Sequence, residues 1–149
     1  MKKTVSVVFG TFAPMHKGHI DLIQRAKREN DRAVVIVSGY DQDRGHQIGL
    51  GLQKRFRYIR ETFNDEPLVS VFKLDETGMP PYPEGWTPWL EALQALVAIK
   101  EDEELVFYVS EKGYAEELRS RGYLASFTER NFGISATLIR ENPAKYWNS

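Results

Sequence analysis

A chain of 149 residues, 42% of them hydrophobic, has the material for one α/β core, and no apolar run in it approaches the roughly 18 residues of a membrane span. Twenty basic side chains nearly balance twenty-one acidic ones, so no overall field draws the chain to nucleic acid, and the lack of cysteine excludes disulfides and thiolate chemistry. Met1 to Val8 lead straight into a strand-like run rather than a signal peptide, which fits a cytoplasmic enzyme.

Thr4–Phe9 (TVSVVF) is short, β-branched and apolar on both faces, as strands inside parallel sheets are. The loop after it reads GTFAPMHKGH, Gly10 to His19. Gly10 lets the backbone turn and approach a ligand. His16, Lys17 and His19 then gather just before an amphipathic helix marked by Ile20, Ile23 and Ala26. A helix N-terminus offers unsatisfied N–H groups and a positive dipole end, and two imidazoles with an ammonium add donors suited to phosphate oxygens. Two of the three histidines fall within these four positions. Solvated loop histidines are the alternative. No zinc site is expected, because cysteine and a third clustered histidine are both lacking.

Arg32–Ser38 (RAVVIVS) reads as the second buried strand. An irregular loop, Gly39–Gly51, follows it, and SGYDQDR (Ser38–Arg44) runs from the strand's end into it; His46 within the loop reads as solvated. Leu52, Phe56, Ile59 and Phe63 share one face of a second helix, whose Arg55 and Arg57 read as solvated on the polar face. Leu68–Leu74 (LVSVFKL) reads as a third strand, followed by the loop Asp75–Gly85 with its MPPYPEG core. Leu90, Leu93 and Val97 mark a third helix, with Thr87 as N-cap and Pro88 at its first position. Leu105–Val109 (LVFYV) is a fourth strand and Tyr123–Phe127 a weaker fifth. Near the end, ISATLIR (Ile134–Arg140) combines Ser135 and Thr137, which could cap a helix and donate to phosphate, with Arg140, whose guanidinium fork suits phosphate oxygens. The ENPAKYW tail reads as a short helix beginning after Asn142, with Tyr146 and Trp147 packing.

Strands alternating with helices imply right-handed βαβ units and a doubly wound parallel sheet of Rossmann-like type. Such sheets bind ligands outside the carboxyl ends of their strands, where the strand order reverses.

HxGH after the first strand, with ISxTxxR near the end, looks like the nucleotidyltransferase superfamily. GTFAPMHKGHIDLIQRA, SGYDQDR, YPEGWTPW and ISATLIRENPAKYW together resemble the adenylyltransferase domain of the bifunctional NadR-type proteins, which join nicotinamide-nucleotide adenylyltransferase to ribosylnicotinamide kinase. No GxxxxGK[ST] pattern is present, so residues 1–149 are expected to form one adenylyltransferase domain without the kinase or the DNA-binding regulatory activity.

The resemblance implies ATP, carried with Mg²⁺, and nicotinamide mononucleotide as substrates, with no nucleic-acid or membrane partner; a homo-oligomer is compatible with it. It implies that Gly10, Thr11, Phe12, His16, Lys17, Gly18 and His19 hold the ATP phosphates together with Ile134, Ser135, Thr137 and Arg140. His16, His19 and Arg140 are then the catalytic donors. Ser110 and Glu111, in the VSEKG loop Val109–Gly113, would meet the ATP ribose and adenine, unless they merely form a strand-to-helix turn. Arg44 would bind the mononucleotide phosphate and Asp41 would order the loop or contact a ribose, the alternative being a surface turn with an internal ion pair. Trp86, read as preceding its helix, is the favoured partner for stacking on a cationic pyridinium, with Trp89 second; core packing is the alternative for both. Two other readings stay open: an adenylyl- or cytidylyltransferase acting on another phosphate, and a catalytically silent nucleotide sensor.

Overall fold

The computed structural model describes residues 2–40, 43–81 and 84–128. The five continuous apolar runs form one parallel sheet from β1 (Lys3–Gly10), β2 (Arg32–Gly39), β3 (Val69–Asp75), β4 (Glu103–Val109) and β5 (Leu124–Phe127). Its order is β3-β2-β1-β4-β5. The chain winds outward from β1 in one direction, then crosses back to β4 and winds in the other. The reversal falls between β1 and β4, which pair in parallel with Val7 opposite Phe107.

Helices cover both faces, so strand residues of either parity are buried. Val8, Val35 and Val37 pack under α1 (Lys17–Glu29) and α3 (Leu52–Thr62) through Ile23, Ala26 and Ile59. Val5, Val7, Val34, Ile36 and Phe107 pack under α4 (Trp86–Val97) and α5 (Lys112–Ser120) through Leu90, Leu93, Ala115 and Leu118. The central strand pair is apolar on both sides because both sides are core.

Two local expectations are corrected. The third helix starts at Trp86, so Thr87 and Pro88 are its second and third residues and Gly85 is the N-cap. Pro88 still falls in the first turn, where its missing N–H breaks no intrahelical bond. A Cβ at Gly85 would overlap the Pro80 carbonyl, so glycine lets the proline-rich loop close on the helix start. The loop Gly39–Gly51 is also not wholly irregular, since it contains a short helix, α2 (Arg44–Gln47).

At the amino end of the sheet, Arg32 opens β2 and Glu103 opens β4. Their side chains meet in a paired bond, Nε to Oε2 and Nη2 to Oε1, each 3.1 Å. That guanidinium, with the Lys100 amide, lowers the Glu103 carboxyl to about 2.

Candidate active site

The carboxyl ends of β1 and β4 meet at the reversal of strand order, where an α/β sheet leaves a crevice. The β1 end delivers Gly10, the exposed Thr11 and then Phe12, which holds φ at +50° with its ring 3% exposed in the core. A bulky residue in the left-handed region is strained, and burial of the ring offsets that strain. The ring is spent on positioning: it meets the His19 imidazole edge-on, with centroids 4.8 Å apart.

His16 is the N-cap of α1, a place where Ser, Thr, Asp or Asn is usual. Its Nδ1 accepts from the Gly18 amide at 3.1 Å, and its own amide donates to Nδ1 of His19, also at 3.1 Å. The two residues thus close a capping box with imidazoles in place of hydroxyl and carboxylate. An Nδ1 that accepts from an amide carries no proton, so in each neutral ring the proton resides on Nε2. Both rings therefore use Nε2 as their donor. They stack with centroids 3.8 Å apart and planes 22° from parallel.

Gly18 explains the spacing of the motif. A Cβ there would lie 3.0 Å from Cε1 and 3.1 Å from Nδ1 of His16, so glycine lets the imidazole fold over the helix start. Lys17 is the exposed first residue of the same helix. Two imidazoles and a lysine thus stand at the positive end of a 13-residue helix. Across the reversal, Ser110 follows β4 and Glu111 is the N-cap of α5.

The β2 side differs from expectation. Arg55 is not solvated: it is 2% exposed and bound to Asp43 by Nη1–Oδ1 at 3.1 Å and Nη2–Oδ2 at 2.7 Å. Asp43 is the N-cap of α2, accepting from the amides of His46 at 3.0 Å and Tyr40 at 3.2 Å. Burial pushes the Asp43 carboxyl up, but the Arg55 guanidinium and these amides outweigh it and hold the group below the usual aspartate range. Arg57 and His46 are exposed, as read, and Arg44 is the exposed first residue of α2.

Trp86 and Trp89 are each 7% exposed and belong to the core cluster under α4. Trp86 is the helix's first residue rather than a residue before it. It meets Tyr114 edge-on at 5.5 Å, while Phe9 lies 4.8 Å from Trp89 and stacks on Tyr114 at 5.9 Å. Tyr114, 38% exposed, carries this aromatic cluster to the surface. At the end of β3, burial raises the Glu76 carboxyl, reinforced by the charges of Asp43 and Asp75 and opposed by Arg55 and a hydrogen bond from Trp89.

Asp43, Arg55, Glu76 and Tyr114 did not emerge from the sequence. For Arg55 a signal existed: Leu52, Arg55 and Ile59 follow the 3-4 spacing of the buried stripe, with an aspartate in the glycine-rich loop before them. Asp41, Ile134, Ser135, Thr137, Arg140 and the ENPAKYW tail lie outside the described residues. Among the described residues no group of three or more His, Asp or Glu side chains is placed to hold a metal ion, and no helix is long and apolar enough to cross a membrane.

The cytidylyltransferase-like family matches residues 7–142. The trifunctional NAD biosynthesis/regulator protein NadR of Escherichia coli K12 is 35% identical over 98% of this chain and 38% of its own length. Among solved structures, a NadR protein in complex with NR superposes with a TM-score of 0.88 at 44% identity, covering 98% of this chain and 43% of that one. A NadR protein in complex with NAD and AMP-PNP superposes at 0.81 with 42% identity, over 99% of this chain and 45% of that one. The chain thus spans about two fifths of the length of the relatives it matches.

Proposed function

The chain belongs to the cytidylyltransferase-like family as a NadR-type nucleotidyltransferase domain, and on that premise we propose that it transfers the adenylyl group of ATP to the 5′-phosphate of nicotinamide mononucleotide, giving NAD and pyrophosphate. A phosphate oxygen of the mononucleotide attacks the α-phosphorus of ATP. The bond to the bridging oxygen breaks opposite it, and the electron pair leaves with pyrophosphate. The nucleophile is already anionic, so no general base is needed. Catalysis reduces to alignment and to donors aimed where negative charge moves.

The observation that carries this reading is the imidazole capping box at the start of α1. Its hydrogen bonds fix both Nε2 donors beside a helix N-terminus at the reversal of strand order. His16 and His19 would bind α- and β-phosphate oxygens. Gly10, Thr11, Phe12, Lys17 and Gly18 would line the phosphates, with Ser110 and Glu111 on the ribose and adenine. Thr137 and Arg140, with Ile134 and Ser135, would hold the leaving pyrophosphate. ATP would enter with Mg²⁺ held by its own phosphates and water. On the acceptor side, Arg44 would take the mononucleotide phosphate, Asp41 would order that loop, and Trp86 and Trp89 would wall the pyridinium. A cytoplasmic setting supplies both substrates.

The test is a panel of phosphate acceptors with ATP and Mg²⁺: nicotinamide mononucleotide, nicotinic acid mononucleotide, 4′-phosphopantetheine and a polyol phosphate. NAD as the main product supports the reading. A different adduct would reassign the acceptor, and no adduct at all would favour a silent sensor.

A further inference from the structure

Arg55 sits in α3, 2% exposed, and its guanidinium bonds only to what surrounds it among the described residues. Nη2 donates to the Ser38 carbonyl at 3.3 Å and to Asp43 Oδ2 at 2.7 Å. Nη1 donates to Asp43 Oδ1 at 3.1 Å and to the Leu50 carbonyl at 2.6 Å. These contacts fall at the start, the middle and the end of the segment from β2 to α3. The segment is wrapped on the guanidinium closely enough that a Cβ at Gly39 or Gly45 would overlap it. One side chain therefore ties two main-chain carbonyls 12 residues apart, and the Asp43 carboxylate between them, to a single group.

A buried ion pair is a weak source of stability, because desolvating both charges consumes most of what their attraction returns. What the planar fork does, and an apolar side chain of equal size cannot, is set directions for several carbonyls and a carboxylate at once. The carboxylate it aligns caps α2, whose first residue is Arg44. Arg55 and Asp43 also act electrostatically on Glu76, which hydrogen-bonds Trp89. Every group organised this way lies on the acceptor side. The His16–His19 box is closed by its own main-chain bonds, neither of which involves Arg55.

We propose that Arg55 is the positioning residue for the acceptor-binding loop, holding Arg44 where it meets the mononucleotide phosphate without touching substrate itself. This inference rests on the adenylyltransferase reading, and its test separates the two. The experiment compares wild type, Arg55→Lys and Arg55→Met for thermal unfolding, kcat and both KM values. Amide exchange at Tyr40, His46 and Gly18 is measured on the same proteins. Arg55→Lys keeps the charge but not the fork. It should stay folded, raise KM for nicotinamide mononucleotide about tenfold or more, and leave KM for ATP within about twofold. Exchange should quicken at Tyr40 and His46 but not at Gly18. Arg55→Met should match or exceed these effects; if it fails to fold, Arg55→Lys decides. A folded Arg55→Lys with both KM values unchanged, or both raised alike, overturns the positioning role and leaves the adenylyltransferase reading intact. A wild-type protein that forms no NAD overturns that reading, and this inference with it.

Discussion

The imidazoles of His16 and His19 stack at 3.8 Å, and each turns its Nδ1 to a main-chain amide. The pair caps α1 and, in the proposed function, also donates to phosphate, so the two roles are separable by substitution. His19→Ala should lower kcat by roughly 10²-fold or more, because the lost donor acts mainly in the transition state. It should cost only about 1 kcal/mol as a lost cap. His19→Asn restores an acceptor for the His16 amide and should recover stability but not turnover. Near-normal kcat in His19→Asn would remove the imidazole from the chemistry.

Gly18→Ala separates helix propensity from site geometry. Alanine within a helix is favoured over glycine by about 0.5–1 kcal/mol. Yet the new methyl would lie 3.0 Å from the His16 ring and push it by a few tenths of an ångström. Thermal stability should be kept or raised while kcat falls about tenfold or more. A variant that loses stability and activity together would contradict the proposed reason for glycine at this position.

The proposed function gives Trp86 a part in acceptor choice besides its place in the core. At 7% exposure within an aromatic cluster, Trp86→Ala should cost about 3–5 kcal/mol of stability, so it reports on the core. Trp86→Phe keeps an aromatic body and is the informative variant. It should remain folded and raise KM for nicotinamide mononucleotide about threefold to tenfold, with KM for ATP unchanged. Equal changes in both KM values would confine Trp86 to packing.

The opposite end of the sheet gives a pH-dependent prediction. Glu103 is held at about 2, below its ordinary 4.5, chiefly by hydrogen bonds from Arg32. A carboxyl depressed in the folded state stabilises above the unfolded value and loses that contribution as pH falls through the folded one. Urea midpoints should therefore show a contribution from Glu103 that is full at pH 7 and fades between about pH 4.5 and 2. Glu103→Gln should be less stable than wild type at pH 7 and converge on it near the acid end, with kinetics unchanged. A gap that persists to pH 2 would contradict the assignment.

The strands were legible in the sequence because continuous β-branched runs such as RAVVIVS have few other stable settings. The gathering of His16, Lys17 and His19 at a helix start after β1 was legible because these residues lie close together in sequence. What escaped depends on distance. Arg55 read as solvated because its partners lie 5, 12 and 17 residues away, in a loop that periodicity does not describe. Thr87 and Pro88 carry the chemistry of a helix start, and the true start, two residues earlier, is fixed by the approach of Pro80 to Gly85. Tyr114 reaches the tryptophans only because β4 returns beside β1, which is a property of the topology.

The proposed function requires that the bond broken lies at the α-phosphorus of ATP and that the acceptor is a nicotinamide mononucleotide phosphate. ATP labelled at either the α- or the γ-phosphorus, incubated with this protein, Mg²⁺ and nicotinamide mononucleotide, tests it directly. Adenylyl transfer puts α-label in NAD and γ-label only in pyrophosphate, with equal amounts of the two products. Release of ADP, γ-label on the acceptor, or no labelled dinucleotide would contradict it.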